Sequence, residues 1–282
     1  YVDKVATSVT VGPVPEAQIE QKLLPQLAMR VGDAVNMDYI RHDLNVIGAT
    51  GLFSTVKPSF TTVPEGVSLN YTVQMNPVVK KIDIVGNESL STGDLMKLVA
   101  TTPGTTLNTA VVSHDVANIN TAFANAGYMM SRVSDVRLDD EGVLHIAISE
   151  PRIENINLRG NTKTKNKVIM RELRMKKGDI FNKNAASRSI QRVYNTGYFE
   201  DVNVRLLPGQ RNPKDVIVEI DVTEQKTGSV TIGAGYSDSD GLVGILGLAE
   251  TNLRGTGDKA NISWEFGGNT DSNKNYIFSY TH

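Results

Sequence analysis

Apolar residues in the first 225 positions follow two spacings that take turns along the chain. In some segments they recur every three or four residues, which places them on one side of a helix. The clearest such run is Val112, Val116, Ile119 and Phe123. In other segments, such as residues 216–222, every second residue is apolar, as in a strand with one buried face. The pattern predicts pairs of helices separated by strands.

The remaining helical segments are shorter, and their spacing is less regular. Their apolar residues are Ile19, Leu23 and Leu27; Ile40, Leu44 and Ile47; Leu95, Leu98 and Val99; Val168, Ile169 and Leu173; and Ala186, Ile190, Val193 and Tyr194. Together with the first run they predict six helices, two in each third of this region.

Glycines mark an internal repeat. Gly86-Asn87 returns 74 residues later as Gly160-Asn161, and each pair follows a strand-like run. Each is followed by two further glycines in matching places, namely Gly104 and Gly127, then Gly178 and Gly197. The first segment fits the template more loosely, through Gly12, Gly32 and Gly51. A fixed period of this kind indicates one supersecondary unit present in several copies.

Each copy reads as β-α-α-β-β in about 75 residues, which predicts an α+β unit with a short sheet and two helices on one face. Prolines at Asn76-Pro77 and Glu150-Pro151 mark the ends of the first two copies, because proline cannot continue a ladder of strand hydrogen bonds. The expected domains are therefore residues 1–77, 78–150 and 151–225, followed by a different segment, 226–282.

That last segment loses the helical period and becomes rich in glycine and aromatic residues. Alternation predicts strands near residues 228–236, 241–251, 260–266 and 276–281, each with an apolar and a polar face. Aromatic residues at strand ends and an uncharged opposite face favour the first strands of a transmembrane β-barrel over a soluble sandwich. Because the smallest barrels need about eight strands, we expect the barrel to be incomplete in this chain.

The composition of the chain excludes several classes of function. Apolar residues make up 40% of the chain and charged residues 21%, which suits folded domains. A net charge of −2 argues against a general nucleic-acid binder, and the lack of cysteine excludes disulfides and thiol nucleophiles. The chain opens with Tyr1-Val2-Asp3-Lys4 and shows no secretory signal; a signal removed from a mature protein would leave the same start.

The order of these parts resembles the BamA-type family of outer-membrane assembly proteins, whose βααββ units are called POTRA domains. Residues 153–160, Arg171 to Arg174, Gly178 and the run Gly197-Tyr198-Phe199-Glu200 are similar to the family's last POTRA domain. Residues 228–236 resemble its first barrel strand, and residues 252–257 resemble the turn after its second strand. Residues 1–150 match only as generic POTRA units, and three units are fewer than the five of the best-known members.

This resemblance implies a function without enzymatic activity, catalytic residues, metal or cofactor. POTRA domains would lie in the periplasm and receive unfolded β-barrel precursors and accessory lipoproteins, while the barrel would insert new proteins into the outer membrane. The first barrel strand would open laterally and template an incoming strand. The residues assigned to this lateral-gate strand are Gly228, Ser229, Val230, Thr231, Ile232, Gly233, Ala234, Gly235 and Tyr236. Glycines weaken a strand, which fits that role, but they equally fit close packing inside a barrel.

Basic residues are concentrated in the third copy. Residues 151–225 carry 15 basic and 9 acidic residues, whereas residues 1–150 carry 10 and 16. This predicts contact with anionic lipid headgroups or an acidic partner, although an ordinary solvated helix face gives the same pattern. The residues assigned to partner or lipid contact are Lys163, Lys165, Lys167, Arg171, Glu172 and Arg174.

Some features of the sequence fit other functions, such as catalysis, calcium binding or secretion. His42-Asp43 and His114-Asp115 resemble acid–base pairs, but they recur at the same place in two copies, where the third has Arg188, which favours a helix-surface position over catalysis. The run Asp139 to Gly142 predicts a hairpin turn and lacks the glutamate of a calcium loop. A TamA-type factor, a two-partner secretion transporter that exports a soluble protein, and an adhesion module remain alternatives.

Overall fold

A computed structural model describes residues 4–15, 17–238, 241–268 and 275–282; the opening residues 1–3, considered above for a signal, lie outside these ranges. The chain divides into two compact units. One comprises residues 1–126 and 131–150, and the other residues 127–130 and 151–282. The first unit contains two copies of the repeat, and the second contains the third copy with the C-terminal segment.

The three repeats have the predicted β-α-α-β-β order. In the first, β1 (Ala6–Val11) precedes α1 (Ala17–Leu23) and α2 (Met37–Ala49), and β2 (Phe53–Val63) and β3 (Gly66–Met75) follow. The second has β4 (Lys81–Val85), α3 (Thr92–Met96), α4 (Thr109–Asn125), β5 (Arg132–Leu138) and β6 (Val143–Ser149). The third has β7 (Ile153–Arg159), α5 (Asn166–Met170), α6 (Lys183–Tyr194), β8 (Phe199–Pro208) and β9 (Val216–Glu224).

Each repeat builds the same sheet. Its last strand lies in the middle, parallel to the first strand and antiparallel to the second, in the orders β1-β3-β2, β4-β6-β5 and β7-β9-β8. The alternating apolar side chains of β9 are buried with helix residues such as Val168 and Val193 in one core cluster. The α+β class and the three βααββ units are therefore confirmed.

The first helix of each repeat is shorter than its apolar spacing predicts. Helix α1 ends at Leu23 and continues as a 3₁₀ turn over Leu24–Gln26, because Pro25 lacks the amide hydrogen that an α-helix needs. Helices α3 and α5 have five residues each. Leu98 and Val99 donate to carbonyls three residues back, so they lie in a tight turn after α3 rather than in a helix.

An asparagine begins the second helix of every repeat. Asn36, Asn108 and Asn182 each accept hydrogen bonds from two amides of the first turn through the side chain. The amide of the residue directly after each asparagine is not bound by the asparagine side chain and can donate elsewhere. In α4 the Thr109 amide donates to the carbonyl of Gly51 in the first repeat at 2.8 Å, and in α6 the Lys183 amide donates to the carbonyl of Gly127 at 2.9 Å. A glycine turn therefore docks against the following helix at both positions.

The C-terminal segment is a four-stranded antiparallel sheet, β10 (Gly228–Ser237), β11 (Gly241–Leu253), β12 (Asp258–Gly267) and β13 (Asn275–Thr281), in that order. Its register places Ile232, Leu246, Trp264 and Tyr276 side by side on an apolar face. The indole of Trp264 stacks on the Tyr276 ring, with centroids 6.0 Å apart. None of the helices that the structure describes has the length and apolar character that a membrane crossing requires.

Candidate functional site

Strand β10, the predicted lateral-gate strand, is an edge of this sheet. All ten of its residues pair with β11, from Gly228 opposite Glu250 to Ser237 opposite Gly241. Its other edge has no strand partner among the residues that the structure describes. Such an edge presents backbone N–H and C=O groups to which another strand can be added.

The side chains of β10 add little to its pairing with β11. Ile232 and Tyr236 are 81% and 75% exposed, so the apolar face of this strand is almost uncovered. A Cβ atom at Gly235 would meet nothing within 4 Å, and one at Gly233 would barely reach the Ile245 side chain. Backbone hydrogen bonds therefore provide most of the attachment over this half of the strand.

The opposite end of β10 is held by the third repeat. Lys163 Nζ lies 2.8 Å from Thr227 Oγ1, directly before the strand, and 3.0 Å from Glu250 Oε2, opposite its first residue. Thr227 is buried, and its carbonyl accepts from the Thr251 amide at 3.1 Å. We call Lys163, Thr227 and Glu250 the base anchor.

The turn between β11 and β12 also docks on the third repeat. The buried Asn252 side chain donates to Thr164 Oγ1 at 2.8 Å, and the Lys165 amide donates to the Gly255 carbonyl at 2.9 Å. Gly255 has φ +72°, and a Cβ atom there would overlap the Lys163 carbonyl. This position therefore requires glycine both for its left-handed conformation and for the close approach.

Glu224 organises the loop that carries Lys163 and Thr164. Its carboxylate accepts from the Lys163 amide at 2.9 Å, the Thr164 amide at 2.5 Å and the Thr162 hydroxyl at 2.7 Å. Partial burial on its own would raise the pKa of Glu224, but these hydrogen bonds outweigh it and lower the pKa to about 2. Glu150, 74 residues earlier, holds the amides of Glu88 and Ser89 in the same way.

The residues predicted to contact lipid or a partner do not form one uniform surface. Lys163 belongs to the base anchor. Glu172 pairs with Arg192 at 2.7 Å and lies 3.5 Å from Arg171, which also borders Gly257 of the docked turn. The other three of the six predicted residues, Lys165, Lys167 and Arg174, are exposed and have no side-chain partner in the described part of the chain.

Several residues of this junction were not singled out from the sequence. Thr227, Glu250 and Asn252 lie in or next to strands, and nothing in their local pattern indicates a contact with the third repeat. Glu224 could have been found, because Glu150 and Glu224 stand at the same place in two copies of the repeat.

Of the two histidine–aspartate pairs, only the histidines lie on the helix surface as expected. His42 and His114 are exposed, whereas the neighbouring aspartates are buried. Asp43 accepts from the Ala28 and Met29 amides, and Asp115 from the Ala100 and Thr101 amides. Each carboxylate therefore closes the loop that precedes its helix. The predicted hairpin turn at Asp139 to Gly142 is confirmed, with the Asp139 carboxylate 2.7 Å from the Val143 amide.

Comparisons with known proteins agree with this architecture. The family described as POTRA, surface antigen variable number repeat, matches residues 77–150 and 151–225. The outer membrane protein assembly factor BamA of Neisseria meningitidis is 31% identical over 191 residues, which are 64% of this chain and 24% of that protein. This chain thus spans about a quarter of the length of that relative.

Two solved structures share the fold of the repeats. The N-terminal domain of Omp85 from Thermosynechococcus elongatus has 27% identity and a TM-score of 0.67, over 79% of this chain and 98% of that one. POTRA1-3 of Omp85 from Anabaena has 26% identity and a TM-score of 0.67, over 79% of this chain and 96% of that one.

Proposed function

This chain belongs to the POTRA family, and we propose that it serves the assembly and insertion of β-barrel proteins into the outer membrane. The relative from Neisseria is named for outer membrane protein assembly, and the Omp85 structures share the three-repeat fold. In this proposal the domains are residues 1–77, 78–150 and 151–225 in the periplasm, and residues 226–282 begin the membrane-embedded barrel.

One observation carries the proposal further, to a lateral gate. Strand β10 pairs along one edge with β11, while its other edge and its apolar face are uncovered in the described part of the chain. An unfolded barrel precursor is itself a set of unpaired strands with alternating apolar residues. Its terminal strand would add to the free edge of β10 through backbone hydrogen bonds, so no nucleotide or metal takes part.

Apolar and polar faces fit opposite sides of a barrel wall. Ile232 and Phe278 point to the apolar face and are 81% and 69% exposed, as side chains in contact with lipid would be. Ser229, Thr231, Ser263 and Ser279 lie on the other face, which also carries Ile245, Ile277 and the charged Glu265. Exposure of these apolar side chains to water would cost free energy, which supports outer-membrane lipid as the proposed environment of this sheet.

Disulfide trapping in the complete protein tests the gate. The chain has no cysteine, so single cysteines can be placed at Ser229, Thr231, Gly233 and Gly235. The partners are cysteines along the terminal strand of a stalled barrel precursor. We expect a ladder of crosslinks in which each position has one preferred partner. Cysteines at Lys57 and Arg137, exposed or edge-strand positions of the first two repeats, measure non-specific capture.

The same experiment separates this function from one of the alternatives. Crosslinks from β10 only to another strand of its own barrel, with the precursor absent from it, would contradict the gate and favour a secretion transporter that exports a soluble protein. The ladder by itself does not separate this function from that of a TamA-type factor.

The basic surface of the third repeat is proposed to contact anionic headgroups of outer-membrane lipid. Lys165, Lys167 and Arg174 have exposed side chains without partners in the described residues, and each basic residue near an anionic surface contributes about 1 kcal/mol. The pair Lys165→Glu and Lys167→Glu should weaken binding to phosphatidylglycerol vesicles. Lys163 stays unchanged in this test because it belongs to the base anchor.

Matched reversals in the second repeat, Lys80→Glu and Lys81→Glu, change net charge equally at exposed positions outside the basic surface. Equal loss of binding in both variants would show a general charge effect and overturn the lipid assignment. Retained vesicle binding together with loss of an accessory lipoprotein from the purified complex would assign the surface to that partner instead.

A further inference from the structure

The base anchor joins the third repeat to the β10–β11 pair, at the point where the pairing of these two strands begins. Lys163 precedes α5 in the third repeat, whereas Thr227 directly precedes β10 and Glu250 lies in its partner strand β11. A single ammonium group therefore contacts β11 and the residue before β10 at the place where their pairing begins. Its amide is fixed as well, because it donates to the Glu224 carboxylate.

Attachment of β10 differs between its two ends. At the Gly228 end, the Thr227 carbonyl accepts from both the amide and the hydroxyl of Thr251, in addition to the contacts of Lys163. At the Ser237 end, Gly233 and Gly235 leave the strand with almost no side-chain contact, and Tyr236 is 75% exposed. The short connection between Ser237 and Gly241 joins the two strands at that end, so the side-chain contacts that distinguish one register from another lie at the Gly228 end.

We propose that Lys163 is a positioning residue that fixes the register of β10 against β11 through its contacts at the Gly228 end of the strand. The register of β10 then determines which residues an incoming strand meets. The part concerning an incoming strand rests on the proposed function; the part concerning the register of β10 against β11 does not.

The register of β10 determines which face of the sheet each of its side chains occupies. A slip by one residue would turn every side chain of β10 to the opposite face, which the apolar face forbids, whereas a slip by two residues keeps both faces. Loss of the anchor should therefore allow pairing displaced by two residues. Ser229 lies opposite Ala249 in the anchored register and would approach Gly247 in a displaced one.

Paired cysteines in the complete membrane-embedded protein measure this directly. Ser229 with Ala249 reports the anchored register, Ser229 with Gly247 the displaced one, and Tyr236 with Leu242 the far end. A short bifunctional thiol reagent is used so that small differences in geometry matter less. In Lys163→Met the ratio of anchored to displaced product should fall by about twofold to fivefold, the range expected for a partly exposed charged contact.

Two further variants separate positioning from a general loss of structure. The double variant Lys163→Glu, Glu250→Lys swaps the two charges and keeps them opposite. It should restore the ratio of anchored to displaced product. Lys165→Met removes a neighbouring charge that has no part in the anchor and should leave the ratio unchanged. An unchanged ratio in Lys163→Met, or no recovery in the charge exchange, overturns the proposal.

This measurement uses no precursor protein. If β10 gives no ladder with a precursor but the ratio responds as expected, the gate fails and the anchor stands. If the ladder forms and the ratio does not respond, the proposed function stands and the register is fixed by other contacts.

Discussion

The hydroxyl of Tyr71 lies 2.6 Å from Asp43 Oδ2, and both side chains are fully buried in the first repeat. Burial raises the pKa of the Tyr71 hydroxyl, and its hydrogen bond and charge interaction with Asp43 raise it further. The hydroxyl thus remains a donor at any physiological pH, and it joins the central strand β3 to helix α2.

Tyr71→Phe removes this donor while keeping the ring in the core. Because it leaves the buried Asp43 carboxylate with one partner fewer, we expect the first repeat to lose about 1.5–3 kcal/mol of local stability. Hydrogen exchange followed by mass spectrometry should show faster exchange in β3 and α2. Tyr39→Phe, at an exposed position of α2, is the control. Equal exchange in the two variants would contradict the assigned role.

The buried acceptor differs among the repeats in a way that predicts their response to alanine. Asp43 and Asp115 each accept three hydrogen bonds, whereas the third repeat has Ser189, which accepts from the Arg174 amide and donates to the Ala185 carbonyl. Asp115→Ala leaves two amides and the Thr101 hydroxyl without an acceptor, so it should cost more than Ser189→Ala, which orphans one amide. Hydrogen exchange of the two loops compares them within one protein, and a larger effect of Ser189→Ala would refute this account.

Sequence reasoning recovered those parts of the fold that depend on local pattern. Repeat spacing, strand alternation and the apolar helix faces depend on neighbouring residues, and all three repeats follow them. The spacing predicts helices that are too long where a half-buried apolar residue such as Leu98 lies in a turn, since apolar spacing alone does not distinguish a turn from a helix. The role of Lys163 was hidden for another reason: its partner Glu250 is 87 residues away, and an isolated lysine has no pattern that indicates a partner.

Low pH should loosen the loop that carries the base anchor. The pKa of Glu224 is lowered from its ordinary value of 4.5 to about 2 in the folded protein. A lowered carboxyl pKa means that its contribution to stability is complete above about pH 4.5 and is lost as pH falls toward 2. Hydrogen exchange at the amides of residues 162–165, corrected for the intrinsic effect of pH, should become faster as pH falls from about 4.5 toward 2. Glu224→Gln should exchange faster already at pH 6 and show little further change, and a variant that kept the wild-type pH profile would exclude Glu224 as the cause.

Docking between the first two repeats includes hydrogen bonds from Thr109 to the Gly51 carbonyl and from the Asn76 side chain to the Leu107 carbonyl. The Thr109 amide donates to the Gly51 carbonyl, and Thr109 is the first residue of α4, where proline is tolerated. Thr109→Pro should therefore preserve the helix and weaken the joint. Spin labels on cysteines at Ser59 and Asn125, both exposed, should give a broader distance distribution. Met37→Pro, at the same place in α2, is the matched control because the Met37 amide has no acceptor among the described residues. Similar broadening in both variants would place the effect in the helix and not in the joint.

The turn docked on the third repeat offers a comparison of two glycines. Gly255 and Gly178 have φ of +72° and +93°, so alanine strains the backbone at both, by about 1–2 kcal/mol. A Cβ atom at Gly178 meets nothing within 4 Å, whereas one at Gly255 would overlap the Lys163 carbonyl. Gly255→Ala should therefore cost more than Gly178→Ala and should expose the Lys165 amide, which donates to the Gly255 carbonyl. Hydrogen exchange at the Lys165 amide, compared between the two variants, shows whether the loss is specific to the docked turn. If Gly178→Ala exposes the Lys165 amide as strongly, the turn is not held by this contact, and the third repeat cannot position β10 through it.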